Sequence, residues 1–94
     1  MEIELEDQKR AEIFKTLSDA NRLKIIRTLQ ASNREMTCGE VGAQLSISKS
    51  TVSYHFKALR AVGLTNTRKE AQSKYLSLNQ ETFNKYLPGF LDSL

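Results

Sequence analysis

Apolar residues recur at a helical period over most of this chain, switch to a strand-like alternation for a short stretch, and return to a helical period at the end. Over residues 5–17, Leu5, Ala11, Ile13, Phe14 and Leu17 stand among charges, which predicts a first helix with one apolar face after four frayed residues. Asp19 suits an N-cap, and a second helix is predicted from Ala20 to about Ala31, with Leu23, Ile25, Ile26 and Leu29 as its buried stripe. Residues 32–35 are polar and read as a loop. Thr37-Cys38-Gly39-Glu40 has the Thr-x-x-Glu spacing of a capping box, so a short third helix starts there, bearing Val41 and Leu45. Gly42 and Ala43 leave room on it for a close neighbour, and Ser46-Ile47 is the connection, with Ile47 expected to plug the core.

The fourth predicted helix, Ser48 to Gly63, is the most sharply two-faced. Val52, Phe56, Leu59 and Val62 recur at spacings of four and three, an inward stripe. Lys49, Ser50, Ser53, Tyr54 and Lys57 occupy the other side; at about 100° per residue, Ser50, Tyr54 and Lys57 lie opposite Val52. Ser48 can cap the start and Gly63 can end the helix in the left-handed conformation. Two short helices joined by about four residues, the second with a polar outer face, make a helix-turn-helix pattern over about 37–63. After Gly63 the period changes: residues 64–68 and 74–78 alternate as two strands around a polar loop, 69–73. A hairpin directly after such a helix is a wing, spanning about 64–78. Asn79 can cap a last helix from Gln80 to about Leu87, which Pro88-Gly89 should break or kink. Phe83, Tyr86, Leu87, Phe90 and Leu91 crowd this end, and together with Leu5 they are expected to meet the same region of a second copy, making 5–17 and 80–94 the dimerisation elements. The expected fold is therefore mainly α with a small β-hairpin: a single winged helix-turn-helix domain over 1–94, in the order α1-α2-α3-α4-β-β-α5.

Charge adds a direction to this picture. The whole chain carries only +3. Within residues 41–80, however, Lys49, Lys57, Arg60, Arg68, Lys69 and Lys74 face Glu70 alone, a net +5, whereas residues 1–12 hold five acidic against two basic side chains, a net −3. The positive charge thus coincides with the polar face of the fourth helix and with the wing, as a nucleic-acid surface requires. The same charge runs also fit plain solvation of the surface. With 94 residues, 39% of them apolar, the chain can bury one modest core and gains from pairing with a second copy. No apolar run approaches the roughly 20 residues that span a bilayer, and the acidic start lacks the form of a signal peptide, so a cytoplasmic protein with no membrane association is expected. The one cysteine, Cys38, permits no intramolecular disulfide, which fits a reducing compartment.

Three stretches resemble the ArsR-type (ArsR/SmtB-like) winged-helix repressors, a family of arsenic and metal sensors. Phe14-Lys15-Thr16-Leu17-Ser18-Asp19-Ala20-Asn21-Arg22-Leu23-Lys24-Ile25-Ile26 is similar to the family's opening, with Ala20-Asn21 where that opening often has a proline. Ile47-Ser48-Lys49-Ser50-Thr51-Val52-Ser53-Tyr54-His55-Phe56, continued by Leu59 and Gly63-Leu64, resembles its reading helix, and Lys74-Tyr75-Leu76-Ser77-Leu78 resembles the end of its wing. The resemblance covers about residues 11–80. It implies a homodimer that binds an inverted-repeat operator in double-stranded DNA, represses transcription and releases DNA on a signal. It places Ser48, Ser50, Thr51, Ser53, Tyr54 and His55 on the reading helix, and Lys69, Gln72 and Lys74 on the wing. Many metal-sensing members carry a Cys-x-Cys pair near the position of Cys38, and others place Asp, His and Glu along the last helix. Here Met36-Thr37-Cys38-Gly39-Glu40 has one thiol and Glu81-Thr82-Phe83-Asn84-Lys85-Tyr86-Leu87 has no histidine. A thiophilic or zinc site needs about three or four ligands, so a member without either metal site, and without a cofactor, is expected.

Lys49, Lys57, Arg68, Lys69 and Lys74 are the expected phosphate contacts, with Ser50, Ser53 and Tyr54 choosing the sequence. His55 lies only about 60° from Val52, so it either contacts DNA or packs at the edge of the core. Cys38, at a helix N-terminus, is either a reactive redox or electrophile sensor or a half-buried first-turn residue. A winged-helix module that binds protein instead of DNA is a third reading, against which the +5 balance argues. The sequence has neither a Gly-rich phosphate loop nor a nucleophile paired with a base, which points away from an enzyme.

Overall fold

The computed structural model describes residues 2–94, with side chains from residue 5 onward. Five helices and an antiparallel hairpin follow one another as α1 (Glu2–Leu17), α2 (Ala20–Ser32), α3 (Cys38–Leu45), α4 (Lys49–Ala61), β1 (Thr65–Glu70), β2 (Ser73–Leu78) and α5 (Gln80–Tyr86), and a single 3-10 turn (Leu91–Ser93) closes the chain. The expected order holds, and the caps explain most boundaries. The Asp19 side chain accepts from the backbone N–H groups of Asn21 and Arg22, at 2.8 and 3.3 Å, and so opens α2. Both halves of the Thr37/Glu40 capping box are formed. Asn79 accepts from Thr82 N–H at 3.2 Å to open α5. One expectation fails at the start: α1 begins at Glu2 instead of residue 5. The run before Asp7 holds no Pro or Gly and is rich in good helix formers, so nothing in it stops the helix.

One core joins the elements. Ile13 and Leu17 of α1, Ile25, Ile26 and Leu29 of α2, Val41 of α3, Val52, Phe56 and Leu59 of α4, Leu64, Leu76 of β2 and Phe83 of α5 are all buried in it. Burying each such side chain contributes roughly 1.5–3 kcal/mol. Phe14, expected on the buried face of α1, is 55% exposed. The core takes Ile13 and Leu17, four apart, and Phe14 is turned about 100° from Ile13.

The hairpin is longer and tighter than the alternation indicated. The strands pair from Thr65↔Leu78 to Glu70↔Ser73, leaving Ala71-Gln72 as the turn in place of a five-residue loop. Ala71 takes φ +54°, the left-handed conformation that two-residue hairpin turns demand. Met36, which the pattern left outside any element, forms a bridge with Leu76: its N–H donates to Leu76 O at 3.1 Å and its carbonyl accepts from Leu76 N–H at 2.7 Å. The loop before α3 is thus stitched to the wing.

The C-terminal apolar cluster also differs from expectation. Phe83, Leu87 and Leu91 are 1%, 8% and 8% exposed within a single chain, so the core of that chain already covers them. Phe90 stacks on Phe83 with ring centroids 6.1 Å apart. Of the residues assigned to a dimer surface, only Leu5 is exposed, while Tyr86 and Phe90 are half-buried.

Candidate nucleic-acid interface

The polar face of α4 is presented by the way the helix is anchored. Val52, Phe56 and Leu59 fix its inner side in the core. Its C-terminus is closed by Gly63 at φ +82°: Gly63 N–H donates to Arg60 O at 2.9 Å and Leu64 N–H to Leu59 O at 3.1 Å, the two bonds of a Schellman cap. At the other end Ser48 Oγ accepts from Thr51 N–H at 3.1 Å. Gly42 permits the tight turn between α3 and α4, since a Cβ there would lie 2.6 Å from Ile47 O. Lys49, Ser50, Ser53, Tyr54 and Lys57 are consequently exposed along one side, Tyr54 to 68%. An open groove of about 820 Å³ separates this helix end from the wing, walled by Ser50 and Ser53 on one side, Gln72 and Lys74 on the other, and Cys38 and Gly39 at its back.

Not every residue assigned to DNA contact is free on this surface. Ser48 is exposed at the groove, but its hydroxyl is engaged as the cap and lies 2.7 Å from that of half-buried Thr51. His55 is 7% exposed. Its Nδ1 accepts from Arg22 Nε at 3.2 Å, and its ring meets Tyr54 edge-on at 5.1 Å. The edge-of-core reading of His55 therefore replaces the DNA contact, because the stripe around Val52 is wide enough to take in a residue 60° away. Arg68 is exposed but engaged. It pairs with Glu35 at 3.0 Å and Glu70 at 3.0 Å, and its guanidinium lies 4.7 Å over the Tyr75 ring. The hydrogen bonds it donates to Glu35 first, then to Glu70, raise its pKa further. Arg68 fastens the wing to the loop ahead of α3. Arg60, missing from the contacts read off the sequence, donates from Nη1 to Thr67 Oγ1 at 3.0 Å and ties the end of α4 to β1. The Arg60–Thr67 and Arg68–Glu35 ties join separate elements, which one-dimensional spacing does not supply.

Lys69 and Lys74 are directly opposed in the hairpin. Like charges in that position destabilise a sheet on its own, so the wing carries a local repulsion that a polyanion would relieve.

The helix-turn-helix domain family matches residues 17–68, the segment from the end of α1 through β1. The HTH-type transcriptional regulator YceK of Bacillus subtilis (strain 168) is 60% identical over 89 residues, which is 95% of this chain and 89% of that protein. A homologue of the cadmium resistance transcriptional regulatory protein CadC from Staphylococcus aureus is 35% identical over 71 residues, 76% of this chain and 58% of that one. This chain belongs to the ArsR/SmtB-type helix-turn-helix transcriptional regulators. The structure of the transcriptional regulator HlyU from Vibrio vulnificus CMCP6 superposes on this regulator with a TM-score of 0.75 and 36% identity, covering 98% of this chain and 93% of that one.

Within the regulator, Cys38 sits at the first turn of α3, half-buried at the back of the groove. Burial pushes its thiol pKa up, against the smaller downward pull of the Lys49 and Lys74 charges. A helix N-terminus alone had pointed the other way, and here desolvation is the larger effect. Among the described residues, no three His, Cys, Asp or Glu side chains gather in a metal-binding group. None of the described helices is long and apolar enough to cross a membrane.

Proposed function

We propose that the regulator is a homodimeric repressor that holds an inverted-repeat operator, each subunit laying α4 in a major groove with its wing on the adjacent backbone. The observation that carries this is the bare polar face of α4, with Lys49, Ser50, Ser53, Tyr54 and Lys57 exposed above a buried root of Val52, Phe56 and Leu59 that has His55 at its edge. Lys49, Lys57, Lys69 and Lys74 set affinity. Ser50, Ser53 and Tyr54 read base edges, and Gln72 at the hairpin turn probes the flank. The second subunit covers Leu5 and the half-buried rims of Tyr86 and Phe90. Two-fold symmetry then sets the half-sites about 34–36 Å apart or at a multiple of that. Repression follows where such a site overlaps a promoter, and no metal is required for binding.

The test is binding of purified protein to its own promoter region against random duplex at two salt concentrations, with Tyr54→Ala and Lys74→Ala alongside. Selective binding at a symmetric site is expected. Tyr54→Ala should change the preference among operator variants, and Lys74→Ala should weaken all of them alike. Equal, salt-labile binding to every duplex would refute the operator reading. Transcription from the occupied promoter with added polymerase gives the sign of regulation, and a rise would refute repression. Unchanged binding on chelation is expected, and loss of binding would refute metal independence.

A further inference from the structure

We infer that Arg22 and His55 are positioning residues for the reading helix: half-buried and buried respectively behind the DNA face, they set the place of Tyr54 without touching DNA. The inference rests on the operator reading above. Arg22 sits in the first turn of α2 and makes two bonds in different directions. Its Nη1 donates to the carbonyl of Thr16 at 3.1 Å, in the last turn of α1. Its Nε donates to His55 Nδ1 at 3.2 Å, on α4. Thr16 O is among the carbonyls that a helix end leaves without an intrahelical partner. One guanidinium therefore closes the end of α1 and holds α4 at the same time. Its rigid planar fork aims two N–H donors in fixed, divergent directions, which the compact ammonium of a lysine does not.

The third link is aromatic. The His55 ring meets Tyr54 edge-on, with centroids 5.1 Å apart and planes at 72°. Tyr54 is 68% exposed, and His55 is its buried flank. The placement of an exposed tyrosine on a helix is ordinarily loose, because solvent offers it several rotamers of similar energy. Here the imidazole narrows that choice, and the imidazole is itself held by Arg22. The chain of contacts runs from the α1–α2 corner through Arg22 and His55 to the aromatic that reads the operator. Neither Arg22 nor His55 lines the groove beside the wing.

Two variants separate this role from the alternatives. Arg22→Lys keeps the charge and loses the fork. His55→Gln keeps a side-chain oxygen able to accept from Arg22 and loses the ring edge. In the free protein, both are expected to shift the Tyr54 ring resonances in NMR spectra while the melting transition stays cooperative. Unmoved Tyr54 resonances in both would overturn the inference whatever DNA does. In binding titrations, Arg22→Lys is expected to lower the ratio of operator to random-duplex affinity by roughly tenfold, the scale of one hydrogen bond to a charged group, with an unchanged salt slope. Because lysine retains the positive charge, full selectivity in Arg22→Lys would mean that charge alone suffices and would overturn the inference. Arg22→Gln adds the complementary control: a salt slope reduced by about two units, one for each subunit, would mark Arg22 as a direct phosphate contact and also overturn it. Absence of selective binding by the unaltered protein would overturn the operator reading, and the reading role of this pair with it. Selectivity that persists in both variants beside a selective parent would overturn this inference alone.

Discussion

Gly42→Ala puts the turn between α3 and α4 under a strain whose size can be worked out. A Cβ on Gly42 would lie 2.6 Å from Ile47 O, 3.5 Å from Val52 Cγ2 and 3.6 Å from Lys49 N. The shortest comfortable carbon–oxygen approach is about 3.3 Å, so the oxygen must retreat by about 0.7 Å. It is poorly placed to do so. Ile47 N–H donates to Gly42 O at 3.0 Å, and the next residue, Ser48, is fixed as the cap of α4. Overpacking of this kind costs about 1–3 kcal/mol, and more where backbone has to move. Alanine returns up to about 1 kcal/mol through its better helix propensity. The net expectation is a loss of about 1–2 kcal/mol, or about 4–16 °C in melting temperature for a domain this size. Gly39→Ala is the internal control. It is the same change in the same helix, but the nearest atom to its Cβ is Thr37 Oγ1 at 3.9 Å. It should be neutral or stabilising by up to about 1 kcal/mol. Urea and thermal unfolding of both variants decide the matter. If Gly42→Ala proves as stable as Gly39→Ala, the close approach at the helix-turn-helix corner is not what glycine is there for.

Three further outcomes follow from local geometry. Ala71, at φ +54° in the hairpin turn, pays about 1–2 kcal/mol for a left-handed conformation, so Ala71→Gly should raise the urea midpoint modestly, and a lowered midpoint would contradict the turn assignment. Burial raises the Asp19 carboxyl, but the N–H groups of Arg22 and Asn21, aided by the positive charge nearby, outweigh it and hold the pKa below its ordinary value. The stability this gives is complete above the ordinary carboxylate pKa of about 4 and is lost as pH falls through the lowered folded value; Asp19→Asn still caps but does not titrate, so its melting temperature should close on that of the parent as the pH drops below about 4, and a gap constant down to pH 2 would refute the linkage. Cys38, its thiol pushed up by burial, should react with iodoacetamide at neutral pH more slowly than free cysteine, and faster reaction would restore the sensor reading.

The parts of this fold that one sequence discloses are those governed by neighbours within a turn or two of helix. The Thr37/Glu40 box, the Asp19, Ser48 and Asn79 caps and the Gly63 terminus are such features, and all stand where their spacing put them. What the sequence conceals depends on residues far apart. Met36 pairs with Leu76, Glu35 with Arg68, and Arg22 with His55, across separations that no periodicity records. Phe83, Leu87 and Leu91 misled for a related reason. An apolar cluster has the same pattern whether its own chain or a second one covers it, and only the path of α5 back across the core distinguishes the two.

The same distinction decides which cations are free for a polyanion. Arg60 is bonded to Thr67, and Arg68 is held by Glu35 and Glu70. Among the described residues, Lys49, Lys57, Lys69 and Lys74 have no acidic partner within salt-bridge distance, and Lys69 and Lys74 oppose each other. An arginine that must leave a protein carboxylate to reach a phosphate gains only the difference between the two pairings, whereas a solvated lysine brings its full counterion release. Four free lysines in each subunit of the proposed dimer amount to eight phosphate contacts on an operator, which corresponds to a slope of log affinity against log salt of about −7. Recruitment of Arg60 and Arg68 in each subunit would steepen it to about −11. A slope near −7 that is unchanged in Arg68→Gln would support the division between structural arginines and binding lysines. A slope near −11 that falls by about two units in Arg68→Gln would refute it and return Arg68 to the DNA face.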